Sequence, residues 1–235
     1  MLEEKKKLLE FLDKQKFRLM DLPPELRHKI LSYLPQTRDV AVYLRGYNGM
    51  PPTGVELAVT ARAGDRLLRQ ETLMTTIEQT TFIIHSGPGN ASFQTWLEHV
   101  DLRLASSGYT NGYNAVKSLS FPFFSRYPHR LLPAANPNND IELMRRCRNL
   151  EVVSTEWWGT ELIDQSVPNH PAKSVQQLRT EYRLDRMLAL EKLKKLRLRK
   201  VRACMVADTA IQNMATWFRA NLAGQNGSAV QVVVE

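Results

Sequence analysis

The chain has 235 residues, of which 43% are hydrophobic and 24% are charged, and its formal net charge at pH 7 is +8. This composition is typical of a folded protein with one main domain, and the uninterrupted apolar run of about 18 residues that a membrane-spanning helix needs is absent from it. The first residues mix both charge signs and lack the apolar core of a secretory signal, and the two cysteines, Cys147 and Cys204, have no metal-ligand spacing. We therefore expect an intracellular protein of the cytoplasm or nucleus, with reduced thiols and no membrane association.

Helical patterns dominate residues 1–74. In the clearest one, Leu26, Ile30 and Leu34 recur at helical spacing, two prolines fit the first turn, and Pro35 ends the helix. We predict helices at residues 2–18, 22–34, 39–44 and 55–73, with a turn-rich break at 45–54. This part of the chain is therefore expected to form a small helical region.

The predicted secondary structure changes after residue 75, where short β-prone segments alternate with helical stretches. Such alternation is typical of an α/β fold with parallel strands joined by helices. The predicted strands are Thr80–His85, Val116–Phe121, Leu150–Thr155, Leu196–Val201 and Val230–Val234. The predicted helices between them are 92–105, 139–147, 173–193 and 207–222.

Three of these strands share a local pattern, in which apolar residues occupy positions 1, 4 and 6. The pattern begins at Val116, Cys147 and Leu193, and a degraded copy begins at Ile77. It matches the core of a leucine-rich repeat, although the spacings of 39, 31 and 46 residues are longer than the usual range of about 20–29. We therefore predict that residues 75–235 form a curved, parallel-sheet solenoid similar to leucine-rich repeats. An ordinary open parallel α/β sheet is the alternative.

The excess of positive charge is concentrated between Arg179 and Arg202, where ten Lys or Arg residues face three acidic ones. Such a stretch can bind an acidic partner, including nucleic acid, through phosphate contacts. It can equally be the solvated flank of a helix and a strand. Nucleic-acid binding is therefore a minor alternative for this chain.

The sequence offers little that resembles a catalytic centre. None of the five histidines belongs to a metal-binding pair, and the loop His85–Asn90 lacks the signatures of a nucleophile elbow or a phosphate loop. Cys147 has cationic neighbours that would lower a thiol pKa, but it fills an apolar slot of the repeat pattern, which favours burial. We expect no enzyme activity, no cofactor and no metal.

A possible binding surface on the body combines Trp157, Trp158, Arg197 and Arg199. Tryptophan and arginine are enriched where interfaces hold most of their binding energy. The alternative for the two tryptophans is that they cover an edge of the solenoid under the loop 159–172.

The segment Leu22–Pro35 resembles the opening helix of the F-box family, especially the F-box-like proteins of filamentous fungi with a Leu-Pro-Pro-Glu start. The resemblance implies docking onto a Skp-family adaptor of a cullin–RING ubiquitin ligase, with a substrate protein held by the repeat body. The residues that it places at the adaptor interface are Leu22, Pro23, Glu25, Leu26, Ile30, Leu34, Val40 and Leu44. Two alternatives stay open: the helix packs only on the chain's own core, or the chain is an interaction subunit without a ligase role.

Overall fold

The computed structural model of the protein describes residues 19–33, 39–42, 66–85, 87–104, 112–124, 138–201, 205–222 and 229–235. These residues build a mixed α/β structure around one parallel sheet. Its strands are β1 (Asp39–Val42), β2 (Thr81–Ile84), β3 (Ser118–Phe121), β4 (Val152–Trp158), β5 (Lys195–Val201) and β6 (Gln231–Val234). All five predicted strands and their parallel pairing are confirmed, and β1 adds a sixth that the sequence did not indicate.

One described helix precedes β1, and the others connect successive strands. The helices are α1 (Pro24–Leu31), α2 (Arg66–Gln79), α3 (Gly87–Leu104), α4 (Asn139–Arg146), α5 (Val175–Tyr182) and α6 (Met205–Asn221). Short 3₁₀ helices cover Leu19–Asp21, Gly112–Ala115, Gly159–Glu161 and Leu184–Ala189. None of the helices in the described ranges is both long and apolar enough to cross a membrane.

The strands are ordered in the sheet as they are in the chain, from β1 to β6. Crossovers between parallel strands are almost always right-handed, so a strictly sequential order carries the connecting helices to the same face of the sheet. The burial of the strands agrees with this, because buried and partly exposed residues alternate along β2, β3 and the first half of β5. We call the face of the sheet opposite the described connecting helices the open face.

The core lies between the helices and the other face of the sheet. One register row, which runs from β2 to β6, contributes five apolar side chains that are at most 6% exposed: Phe82, Leu119, Val153, Leu196 and Val232. Burying a large apolar side chain stabilises the fold by about 1.5–3 kcal/mol relative to leaving it exposed. This row therefore ties five successive strands to a common helix layer.

An aromatic cluster fills the middle of this layer. The ring centroids of Trp157 and Tyr182 are 4.9 Å apart, and Phe124 lies 5.2 Å from Trp157 and 6.0 Å from Tyr182. The edge-to-face arrangement of Trp157 on both rings matches the preferred geometry of aromatic pairs. Residues from a loop, a strand and a helix are joined at this point.

The helix predicted at 39–44 is wrong, since Asp39–Val42 form strand β1. Val40 and Val42 alternate with smaller neighbours, which suits a strand, and backbone pairing of Val40 with Phe82 extends the sheet. The helix predicted at 55–73 continues beyond its predicted end, because α2 runs to Gln79. The predicted boundary between residues 74 and 75 therefore falls in the middle of a helix.

Two other helix boundaries differ from the prediction. Helix α3 begins at Gly87 rather than at residue 92, with Pro88 in its first turn. Proline is tolerated there, because backbone N–H groups in the first turn have no hydrogen-bond partner within the helix. The long helix predicted at 173–193 is interrupted at Arg183, whose φ of 60° is left-handed. A 3₁₀ helix follows, so two shorter helices take the place of the single helix that was predicted.

Candidate protein-docking surfaces

Helix α1 presents an apolar stripe to solvent. Leu26 is 49% exposed, Ile30 is 38% exposed and Tyr33, just after the helix, is 78% exposed. Residues at positions i, i+4 and i+7 share one side of a helix, so these three side chains form a continuous strip. Leu26 and Ile30 are therefore not buried in the core, whereas Leu34, the third residue of the packing alternative, lies outside the described residues.

The opposite side of α1 is fixed to helix α2. Arg27 is 7% exposed, and its guanidinium donates to the Glu71 carboxylate at 2.9 Å and 2.7 Å and to the Leu22 carbonyl at 2.6 Å. Leu31, one turn further, is 3% exposed, and Gln79 donates to the carbonyl of Ser32 at 3.2 Å. These contacts set the rotation of α1 about its axis, and that rotation directs Leu26 and Ile30 outward.

The other residues of the F-box-like prediction fall in several places. Leu22 is half-buried, Pro23 is the N-terminal cap of α1, and Glu25 is exposed in its first turn. Val40 lies in strand β1, so a role in a second docking helix is excluded for it. Leu34 and Leu44 lie outside the described residues.

The open face of the sheet forms a second surface. Its central part is a shallow groove of about 590 Å³ with small hydroxyl residues on its floor, among them Ser118, Ser120 and Ser154. Ile83 and Val152 add apolar surface, and Arg197 and Arg199 lie at the β5 side. Thr81 and Ser118 hydroxyls are 3.1 Å apart across β2 and β3. Small side chains keep the groove open.

Both arginines of the predicted body interface are on this open face. Arg199 Nη1 lies 3.0 Å from Glu156 Oε1, and its Nε lies 3.6 Å from Glu235 Oε2. Arg197 Nε lies 3.9 Å from Glu235 Oε1. The two arginine side chains are 43% and 51% exposed, although Arg197 Nε itself is shielded from solvent.

The two tryptophans have different positions. Trp157 is 1% exposed and donates from Nε1 to the Thr155 hydroxyl at 2.9 Å. It therefore belongs to the core, and the prediction of a partner contact is wrong for it. Trp158, the next residue of β4, points to the opposite face of the sheet and is partly exposed. A backbone partner in β5, Val201, lies beside it.

The described cations of the basic stretch, at 179–201, do not lie on one face. Arg179 pairs with Asp185 at 2.9 Å and stacks over Trp217, Arg186 pairs with Glu142, and Lys200 pairs with Asp208. Lys194 pairs with Glu151 at 2.7 Å. Because these cations are distributed over helices and strands and have acidic neighbours, they offer no single track for a phosphate backbone.

Burial raises the pKa of two titratable side chains, Cys147 and Asp140. Cys147 is 1% exposed, and burial raises the pKa of its thiol well above the ordinary value, against the weaker influence of Arg146. Burial likewise raises the pKa of the Asp140 carboxyl to about 6, although a hydrogen bond from Asn90 opposes the shift. Within the described ranges no group of three or more His, Cys, Asp or Glu side chains is arranged to hold a metal.

Sequence reasoning missed Arg27, Glu71 and Tyr33. Arg27 falls between the apolar residues of the stripe and is an ordinary surface residue by its type. Its burial follows from a partner 44 residues away, which no local pattern reveals. Tyr33 could have been included, because it continues the spacing of Leu26 and Ile30 by one more turn.

Comparison with known proteins gives no assignment: no family model, curated protein or solved structure matches the chain.

Proposed function

We propose that this chain is a non-enzymatic, F-box-like interaction adaptor. Helix α1 docks a Skp-family adaptor of a cullin–RING ubiquitin ligase, and the body holds a substrate protein. The observation that carries the proposal is the outward stripe of α1, where Leu26 and Ile30 are 49% and 38% exposed while the other side of the helix is buried.

The chemistry of the stripe suits a helical or grooved protein partner. An amphipathic helix binds such a partner by placing side chains from successive turns in an apolar groove. Tyr33 adds an aromatic ring with a polar end, a residue type that is enriched in interface hot spots. Arg27 and Glu71 hold the stripe in place before binding, which reduces the entropy lost on association.

The order of the sheet supports a repeat body similar to leucine-rich repeats. A doubly wound α/β sheet changes direction at a switch point, whereas these strands follow the chain from β1 to β6. In a solenoid each strand–helix unit stacks on its neighbours and the sheet offers an extended surface for a partner. The open face, with its groove, is the substrate surface in this proposal.

Co-purification tests the docking step. The tagged full-length chain is mixed with a purified Skp-family adaptor, and the double variant Leu26→Asp plus Ile30→Asp is compared with wild type. A matched control, Val167→Asp plus Val206→Asp, places the same charges on valines that are 42% and 40% exposed elsewhere. We expect the first variant to lose the adaptor and the control to retain it. Equal retention by both variants, or absence of binding by wild type, overturns the proposal.

A second candidate is an interaction subunit of a larger complex without a ligase role. It is favoured by strand β1, because Asp39–Val42 pair with β2 where the F-box resemblance leads us to expect a helix. A docking surface made from α1 alone suits a partner other than the Skp-family adaptor. Size-exclusion of native extract followed by mass spectrometry separates the two candidates, since only the first predicts a ligase adaptor in the complex.

A further inference from the structure

The open face carries a row of hydrogen-bond donors across three strands. Ser120 on β3 is in register with Ser154 on β4, which is in register with Arg197 on β5. All three line the groove. Neighbouring strands are separated by about 4.8 Å, so the row spans about 10 Å. We call these three residues the donor row.

The donor row has unused hydrogen-bonding capacity. Within the described part of the chain, the hydroxyls of Ser120 and Ser154 make no side-chain hydrogen bond. Arg197 Nε is shielded from solvent and has no hydrogen-bond acceptor there, because Glu235 Oε1 is 3.9 Å away. A buried donor without an acceptor is costly, and a ligand that supplies the acceptor recovers this cost on binding.

The charge around the row is unbalanced by one. The open side of β5 presents Lys195, Arg197 and Arg199, while Glu156 and Glu235 are the carboxylates paired with it. Both carboxylates contact Arg199, so Arg197 is the less compensated of the two arginines. The side chains around the donor row thus carry one surplus positive charge.

The remaining acids of the groove do not change this balance. Glu78 pairs with Lys117 at 3.1 Å, and Glu151 pairs with Lys194 at 2.7 Å. Each carboxylate is matched by its own cation. The surplus charge is therefore local to the β5 side of the groove.

We propose that the donor row binds one carboxylate side chain, from Asp or Glu, in an extended segment of a substrate protein. The hydroxyls and the guanidinium donate to the carboxylate oxygens, and Ile83 and Val152 contact its apolar neighbours. A single negative charge matches the surplus, whereas a phosphate brings about two. This inference deepens the proposed substrate-holding role and rests on it.

A peptide selection tests the inference on the full-length chain alone, without any ligase adaptor. A phage-displayed random library of peptides of about 12 residues, long enough to cross the sheet, is selected on the immobilised protein. The strongest binder is then synthesised with a fluorescent label in three forms: with its acidic residue, with the matching amide, and with phosphoserine. Fluorescence anisotropy gives the dissociation constant of each form.

The expected result is enrichment of peptides with one acidic residue, and weakening by about tenfold when the amide replaces it, as for loss of a charge-assisted hydrogen bond. Arg197→Gln should weaken the acidic form by about tenfold and leave the amide form unchanged. Arg145→Gln, at an exposed cation of α4, is the control and should leave both unchanged. Should Arg197→Gln unfold, Ser120→Ala plus Ser154→Ala takes its place, with an expected loss of about fivefold.

Three results overturn the inference: no acidic enrichment, tighter binding of the phosphoserine form, or equal binding by wild type and the donor-row variants. The Leu26→Asp plus Ile30→Asp variant must bind the peptide as wild type does. If it does so while the Skp-family adaptor fails to bind wild type, the ligase role falls and the carboxylate site stands. If the adaptor binds and the peptides show no acidic preference, only the carboxylate site falls.

Discussion

Arg27 and Glu71 join helix α1 to helix α2 through a two-pronged ion pair, with donor–acceptor distances of 2.9 Å and 2.7 Å. Their side chains are only 8% and 15% exposed. The remaining guanidinium nitrogen donates to the Leu22 carbonyl, so one side chain secures both the helix and the turn that precedes it. The docking stripe therefore depends on a residue that is not part of it.

Arg27→Met should lower the free energy of unfolding by about 3 kcal/mol, because it leaves the Glu71 carboxylate buried without its cation. Urea denaturation followed by circular dichroism measures the change. Replacing both partners, Arg27→Met plus Glu71→Leu, should restore much of the loss. The exposed pair Arg145–Glu142 is the control, and Arg145→Met should cost less than about 0.5 kcal/mol. Equal costs for the two single variants would contradict this account.

The sheet could be predicted from the sequence, whereas the exposed side of α1 could not. Each strand from β2 to β6 lies in a short β-prone segment, and that local signal located it within a few residues. Leu26, Ile30 and Leu31 span too wide an arc to tell which part faces the core, and a contact with Glu71 on another helix decides it. The sequence around strand β1 favours a helix, so its pairing with β2, not its own pattern, identifies it as a strand.

The residues that line the groove could also not be predicted from local sequence patterns. Arg197 was singled out by its residue type, but the neighbouring Ser120 and Ser154 are unremarkable serines until the register places them side by side. Parallel pairing joins residues that are tens of positions apart in the chain, and a shift by one residue would have turned all of them to the core.

Trp157→Ala should destabilise the protein by about 3–5 kcal/mol, since it leaves a cavity between Phe124 and Tyr182. Trp157→Phe should cost less, because it retains much of the ring packing and loses mainly the indole bond to Thr155. Thermal and urea unfolding measure both. Tyr33→Ala, at a ring 78% exposed, is the control and should stay within about 0.5 kcal/mol of wild type. A small effect of Trp157→Ala would show that the ring is not a core residue.

Cys147 should resist thiol reagents in the folded protein, because the side chain is 1% exposed and burial raises its thiol pKa. In a Cys204→Ser background the single thiol can be followed with a chromogenic disulfide reagent. We expect the rate of modification to follow the fraction of unfolded protein as urea increases. Fast modification without urea, at a rate similar to that of a free thiol, would contradict the buried position.

The Asp140 carboxyl makes stability depend on pH in the direction opposite to a paired surface acid. Its pKa is raised by burial from 3.8 to about 6, so the folded state binds the proton more tightly than the unfolded state does. The resulting stabilisation is complete below the unfolded pKa and is lost as pH rises through the folded pKa, between about pH 4 and pH 6.

Asp140→Asn keeps an oxygen that accepts from Asn90 and carries no charge. We therefore expect this variant to be more stable than wild type by about 1–2 kcal/mol near pH 7 and about equal to it near pH 4. Urea denaturation across this range measures the difference, and a constant offset between the two proteins at every pH would show that folding does not shift the pKa of Asp140.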